Sequence, residues 1–266
     1  MHVKGLGIVA LALMISPSAY SLSFFGKIKN AFNDCKYSSS EYNETLRYEK
    51  EVTPVLPEHF AGQFSETDFV DKPWMRDFRL VIVVNKAAKG PTAQTLRVYE
   101  NTQLIYQTKI STGREGFELR RKNRSCAGAP PKSYWSQTPT GFYTPKFLSK
   151  DHKSSSWDSD MPFAVFFDID NGLALHQASP SYMSMLGKRA SGGCVRQDKQ
   201  SAEYVFNMVA STEHAVVPEV NVDGTPVLDE NGQVKYSKGQ TWINSTTGES
   251  IKFNTFSTLI IIEDAP

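Results

Sequence analysis

The chain has 266 residues, 40% of them apolar and 21% charged, with a formal net charge of +1. That length allows one ordinary domain with extensions, or two small ones. Balanced charge argues against a nucleic-acid partner, which usually needs a clustered basic face; the one short basic run, Arg120-Arg121-Lys122 with Arg124, reads as a solvated loop.

Residues 1–21 have the form of a secretory signal peptide. Lys4 supplies the positive start, and Gly5 to Ile15 is apolar but too short to span a bilayer. Ala19-Tyr20-Ser21 offers small residues for cleavage, after Ser21 or else after Ala19. No later run is long enough for a membrane span. These features predict a periplasmic or secreted protein.

Residues 22–76 are polar and weakly periodic, and are expected to form an N-terminal arm packed on the main domain. Asn33 to Glu51 can carry a helix, which Thr53-Pro54 and Leu56-Pro57 end. Leu80 to Val84 is a continuous β-branched run, hence a buried strand. Thr95 to Tyr99 alternates, Glu100-Asn101-Thr102 turns, and Leu104 to Ile110 returns as the second arm of a hairpin. Residues 114–137 read as a long polar loop, the kind that usually serves as a lid or binding loop. Phe142 to Leu148 is a further strand, Ser149 to Ser159 reads as polar and mobile, and Met161 to Ile169 pairs with Leu173 to His176 across Asp170-Asn171-Gly172.

Asp198 can cap a helix in which Ala202, Val205, Phe206 and Val209 recur at helical spacing. Residues 214–255 carry two hairpin signals, Asp223-Gly224 and Asn231-Gly232, and read as a β-hairpin insertion. Ser257 to Ile262 is a closing strand. The expected fold is mainly β, with one or two helices and the polar N-terminal arm; the main domain spans 77–264.

Three cysteines in an exported chain leave one over. Cys35 and Cys126 sit in loop-like sequence and are expected to pair, leaving Cys194 free. Cys194 lies in Ala190-Ser191-Gly192-Gly193-Cys194-Val195-Arg196. A cysteine attacks as thiolate, so it needs access and a lowered pKa. The glycines permit a tight turn and a close substrate. The backbone N–H groups of Gly193 and Cys194 are candidate oxyanion donors, and Arg196 could hold a carboxylate. Among the histidines that remain after cleavage (59, 152, 176 and 214), only His176 closes a buried strand, where it could act as base. Taken alone, a Gly-Gly-Cys is more often a packed or metal-bound cysteine than a nucleophile. No C-x-x-C is present and the other cysteines are far away in sequence, so a zinc site is a weak competitor.

The His176-to-Cys194 stretch resembles the signature of the L,D-transpeptidase catalytic (YkuD-like) family: a His, a variable stretch, then Ser/Thr-x-Gly-Cys, an aliphatic residue and Arg or Asn. Ser191-x-Gly193-Cys194-Val195-Arg196 fits that form. Leu96 to Tyr99, Ser111-Thr112-Gly113, Thr138-Pro139-Thr140-Gly141-Phe142-Tyr143 and Met161-Pro162-Phe163 resemble its accessory motifs, in family order. Two positions depart: Gln177 stands where Gly is common after the His, and Gly192 where His or Ser is frequent.

The resemblance implies a β-sandwich-like domain acting on peptidoglycan stem peptides, with no metal or organic cofactor. Cys194 would form a thioester with a stem tetrapeptide, His176 would move the proton, and Gly193 and Cys194 would help bind the oxyanion. Arg196, Ser191 and Gly192 would line or support the substrate site, with Tyr143 and Tyr182 as further cleft candidates. The acceptor would be a second stem, a lipoprotein lysine or a D-amino acid. With water as acceptor the chain would be an L,D-carboxypeptidase or murein hydrolase. A non-catalytic peptidoglycan-binding protein on the same fold is the alternative from another class.

Overall fold

The computed structural model describes residues 39–120, 132–154, 157, 159–244 and 247–266. The chain divides into two compact units, one of residues 1–53 with 119–134 and one of 54–118 with 135–266. The described part of the smaller unit holds helix α1, Ser39–Val52, within the stretch read as helical. Its end is fixed by Pro54, which cannot continue the i→i−4 ladder. Near that end, Ser133 Oγ donates to Glu49 Oε2 at 2.6 Å and lies 3.3 Å from Thr53 Oγ1. The signal-peptide stretch and the Cys35–Cys126 pairing lie outside the described residues.

The larger unit is mainly β. Its elements, with the ribbon that crosses the boundary, run in chain order as short helix α2 (Asp68–Asp71), β1 (Leu80–Asn85), β2 (Thr95–Glu100), β3 (Gln103–Lys109), β4 (Phe117–Arg120) and β5 (Lys132–Trp135). There follow β6 (Gly141–Tyr143), β7 (Phe147–Ser154), β8 (Ser159–Asp168), β9 (Leu173–Gln177), β10 (Val195–Gln197) and helix α3 (Lys199–Ala210). The last part holds β11 (Val217–Pro218), β12 (Tyr236–Ser237), β13 (Gly239–Ile243), β14 (Ser250–Asn254) and β15 (Thr258–Glu263). The strands form a five-stranded sheet, β3-β2-β1-β15-β6, a four-stranded sheet, β10-β9-β8-β7, and three two-stranded ribbons.

Strand β1 shows why the sandwich holds. It is buried along its whole length and pairs in parallel with β15 and antiparallel with β2. Side chains alternate between sheet faces. Leu80, Ile82 and Val84 join the core with Leu175, Val195 and the α3 residues Val205 and Val209. Val81 and Val83 point the other way, into a second cluster with Phe64, Phe69, Trp74 and Met75. Each such side chain contributes roughly 1.5–3 kcal/mol by leaving water. Residues 54–76, read as part of an arm, therefore supply one wall of this core, while 39–53 belong to the smaller unit.

Two loop readings are corrected. Residues 114–137 contain the strand pair β4–β5, and 149–159 is largely the paired arm of a β7–β8 hairpin. β4 and β5 are only four residues each, and the outer part of β7 is Ser-Lys-Asp-His-Lys-Ser, so neither stretch carries the apolar run that marks a strand. The helix after Asp198 forms as expected, with the Asp198 side chain accepting from Ser201 N at 2.9 Å. The Asp223-Gly224 and Asn231-Gly232 turns are present, and β13–β14 adds a third hairpin to the insertion. The insertion packs on the sandwich: Phe253 stacks on Phe147 and Trp242 Nε1 donates to Asp170 Oδ1.

Candidate active site

Strands β9 and β10 run parallel, with Val195 beside Leu175 and Arg196 beside His176. Val195, Leu173 and Leu175 face the core. By alternation, Cys194, Arg196, Ala174 and His176 share the opposite face. Cys194 there packs on a small cluster of Met161, Ala164, Phe166 and Ala174. One residue back along the register Cys194 stands beside Ala174, so His176 is its diagonal neighbour. Diagonal neighbours on one sheet face lie on the order of 7 Å apart, a gap that long and aromatic side chains can span.

The turn before Cys194 is built by Ser191, which is fully buried. Its Oγ accepts from Gly193 N at 2.9 Å and donates to the Cys194 carbonyl. Gly193 has φ +137, and a Cβ there would stand 2.9 Å from both the Gln137 carbonyl oxygen and Leu173 Cδ2. Only glycine fits. The expected use of the Gly193 N–H as an oxyanion donor is corrected, because that N–H is bound to Ser191 Oγ. The Cys194 N–H is the remaining candidate.

Segments far apart in sequence lock this turn in place. Ser111 exchanges both backbone hydrogen bonds with Arg196, at 2.9 Å each, and the Thr112 carbonyl accepts from Ala190 N and Ser191 N. Thr138 Oγ1 accepts from Gly113 N at 2.8 Å and donates to the Gly193 carbonyl at 2.6 Å. One hydroxyl thus joins the Ser111–Gly113, Thr138–Gly141 and Ser191–Arg196 motifs.

Electrostatics oppose a standing ion pair. His176 is 6% exposed, and its Nδ1 lies 2.7 Å from the Gln177 carbonyl oxygen. A carbonyl only accepts, so Nδ1 carries the proton and Nε2 keeps its lone pair. Burial, with smaller pushes from Arg196 and His152 and against the Gln177 bond, holds this imidazole down to about 4. Burial also pushes the Cys194 thiol up, against weaker opposite pulls from Ala174 and Arg196. The half-buried thiol is free of disulfide and donates to the Gly172 carbonyl at 3.6 Å. At neutral pH the pair is a neutral thiol beside a neutral imidazole, rather than the lowered-pKa thiolate anticipated from sequence. The dipole of α3 does not reverse this, since its N-cap is itself an acid, Asp198.

Arg196 lies with its guanidinium 4.2 Å from the centre of the exposed Tyr182 ring, and its Nη1 donates to the Ala190 carbonyl at 3.3 Å. Arg114, which sequence reasoning missed, donates to the same carbonyl at 2.8 Å. Its position in a polar loop gave no sign of this. Tyr182 therefore joins the group around Arg196. Tyr143 does not: its ring packs 5.2 Å from Phe167 and its hydroxyl reaches the Pro139 and Thr140 carbonyls. Gly192 contributes no side chain. His152, dismissed in sequence as a loop residue, sits in β7 opposite Met161, its ring edge-on to Phe166 at 4.8 Å. Among the described residues no cluster of His, Cys, Asp and Glu is arranged to hold a metal, and no helix is long and apolar enough to cross a membrane.

The family model of the L,D-transpeptidase catalytic domain (YkuD) matches residues 79–228. The chain belongs to that family. The match takes in every family motif named above; β15 lies beyond it but inside the five-stranded sheet. Solved L,D-transpeptidases show partial likeness. That of Xylanimonas cellulosilytica DSM 15894 (residues 123–326) has 16% identity over 69% of this chain and 59% of its own, with a TM-score of 0.39. That of Mycobacterium smegmatis has 14% identity over 69% of this chain and 58% of its own, also at 0.39. The catalytic domain of the E. faecium enzyme has 15% identity over 50% of this chain and 91% of its own, at 0.33. The chain thus spans less than two thirds of the length of the first two. No curated protein matches the sequence.

Proposed function

We propose that this chain is a peptidoglycan L,D-transpeptidase with Cys194 as nucleophile and His176 as base. The observation that carries the reading is the placement of Cys194 and His176 on one face of adjacent parallel strands, within the matched domain, with the Nε2 lone pair unspent. Sγ attacks the carbonyl between the third, L-configured centre of a stem tetrapeptide and its terminal D-residue, while the thiol proton passes to Nε2. The tetrahedral adduct collapses, the C–N bond breaks, and the D-amino acid leaves with that proton, giving a Cys194 thioester. An amine acceptor attacks the thioester, loses its own proton to Nε2, and restores the thiol as the new amide forms.

Burial keeps His176 unprotonated at neutral pH, so it can accept a proton. Arg196 and Tyr182 offer a cation and an aromatic face beside the attack site, suited to a carboxylate-bearing peptide. Ser191, Gly192 and Gly193 shape the turn. The chain is exported and works in the periplasm or outside the cell; the apolar start of residues 1–21 supports this, and N-terminal sequencing of exported protein should begin at Leu22.

The test is mass spectrometry of products after incubating the protein with disaccharide-tetrapeptide, beside Cys194→Ala. Crosslinked dimers lost in the variant are the expected result. Cys194-dependent tripeptide without dimers would move the assignment to the hydrolase. No product and no covalent adduct from the wild type would sink the enzymatic reading in favour of a peptidoglycan-binding one.

A further inference from the structure

A buried charge network reaches the Cys194 turn from outside the matched domain. Lys86, at the end of β1, is 1% exposed. Its Nζ contacts Glu58 Oε1 at 2.6 Å and Glu115 Oε2 at 3.0 Å. Glu58 lies 21 positions ahead of residue 79, where the family match begins. Its carboxylate has two further partners: Oε1 also accepts from Gln137 Nε2 at 2.6 Å, and Oε2 from Thr140 N at 2.6 Å. The backbone follows, with His59 N donating to the Thr140 carbonyl and Phe60 N to Thr140 Oγ1, both at 3.1 Å. Glu115 Oε1 accepts from Thr138 N at 3.1 Å.

Most of the polar holds on the 137–140 turn thus come from this network or the two residues after Glu58; the Thr138 and Tyr143 hydroxyls supply others. That turn is the surface on which Gly193 rests: the Gln137 carbonyl leaves no room for a Cβ there, and Thr138 Oγ1 grips the Gly193 carbonyl. Charge-assisted hydrogen bonds are the stiff ones, and placement errors near 1 Å at a reacting centre cost about 100-fold in rate.

We propose that Glu58 is a positioning residue of the active site, fixing the Gln137–Thr140 turn and through it the Gly193–Cys194 peptide. The inference rests on the reading above for its effect on turnover, but its structural half stands apart from any substrate. The direction of the charge agrees: although burial alone would raise it, the Lys86, Thr140 and Gln137 hydrogen bonds hold the Glu58 carboxyl below its usual range.

The experiment uses the full chain and its variants Glu58→Gln and Glu58→Ala, with Arg79→Gln, which breaks a half-exposed ion pair with Glu100 remote from the turn, as control. Hydrogen exchange read by mass spectrometry should show peptides over 136–143 and 190–197 exchanging at least ten-fold faster in both Glu58 variants, with α3 unchanged. Kinetics on the tetrapeptide donor should show kcat down ten-fold or more and KM within two-fold. Added formate should restore part of the kcat of Glu58→Ala, because the Glu58 side chain is 42% exposed and leaves an open, cationic gap beside Lys86.

Unchanged exchange at 190–197 in a folded Glu58 variant overturns the proposal, as does a KM change alone. Should Glu58→Ala fail to fold, Glu58→Gln, of equal size, decides the matter by the same exchange measurement. If the wild type itself turns over no peptide, the enzymatic reading fails, and exchange at 190–197 still decides whether Glu58 holds the turn.

Discussion

Replacing His176 with Gln should flatten the acid limb of the protein's stability. The imidazole is held down to about 4 in the fold, against an ordinary 6.5 in the unfolded chain. The unfolded state therefore binds a proton between these values while the native state does not. Stability from this group is fully present above pH 6.5 and is lost as pH falls toward 4. The full gap corresponds to about 3 kcal/mol, of which roughly 2.5 kcal/mol should be gone by pH 4.5. The physical source is plain: a charged ring would sit buried, close to the Arg196 guanidinium and to His152. Urea unfolding, followed by tryptophan fluorescence at pH 7.5 and 4.5, measures it as a difference of differences. Carboxylates that titrate over the same range cancel between wild type and His176→Gln. The variant should lose less stability on acidification by that amount. Equal losses in both proteins would refute the burial argument and, with it, the account of how the base is kept neutral.

Iodoacetamide alkylation of Cys194 should keep rising through pH 9 without a plateau near neutrality, because burial raises the thiol and no thiolate–imidazolium pair stands at rest; a plateau from pH 5 upward would contradict this. Gly193→Ala forces a side chain into φ +137 against the Gln137 carbonyl and Leu173 and should destabilise by about 2–3 kcal/mol in chemical unfolding, with turnover abolished. Thr138→Val leaves the Gly113 N–H and the Gly193 carbonyl without their partner and should cost about 2 kcal/mol, with kcat falling more than KM rises. Tyr182→Ala removes the face over Arg196 but no core packing, so KM for a carboxylate-bearing donor should rise several-fold while the melting temperature holds.

Much of this site was legible because its parts obey local rules. The β9 strand announced itself by apolar residues ending in His176, and the turn by consecutive glycines before Cys194. Parallel register then followed from the fold. What sequence could not show were long-range polar partners. Thr138 looked like a turn residue, yet its hydroxyl works across 55 positions to reach Gly193. Nothing around Lys86 in the sequence marks it as buried, and only the fold reveals that its ammonium sits between Glu58 and Glu115. The β4–β5 pair and the outer part of β7 escaped for another reason: residues 149–154 of β7 are all polar and at most partly buried, so no apolar run marks them. Gly193 was flagged for the right flexibility and the wrong bond, since the Ser191 hydroxyl captures the N–H that chemistry would have assigned to substrate.

The neutral resting pair has a consequence for how the proposed reaction must run. A cysteine held as thiolate is ready to attack but also ready to oxidise, and the proposed location outside the cytoplasm is one where thiols are at risk. Here the thiol donates to the Gly172 carbonyl, and the Gln177 carbonyl fixes the tautomer that leaves Nε2 open. Proton transfer must therefore accompany attack rather than precede it, and the charge that appears on His176 appears beside Arg196. The oxyanion formed in the same step offsets that charge in part, and a negative group arriving with the substrate would offset it further. On the proposed reading, a donor carboxylate near Arg196 and Tyr182 does both tasks, binding the peptide and offsetting the imidazolium. A donor whose carboxylate is amidated should then lose kcat as well as affinity, and the pH at which kcat half-declines should fall with it. Loss of affinity alone would mean that Arg196 anchors the substrate without influencing the base.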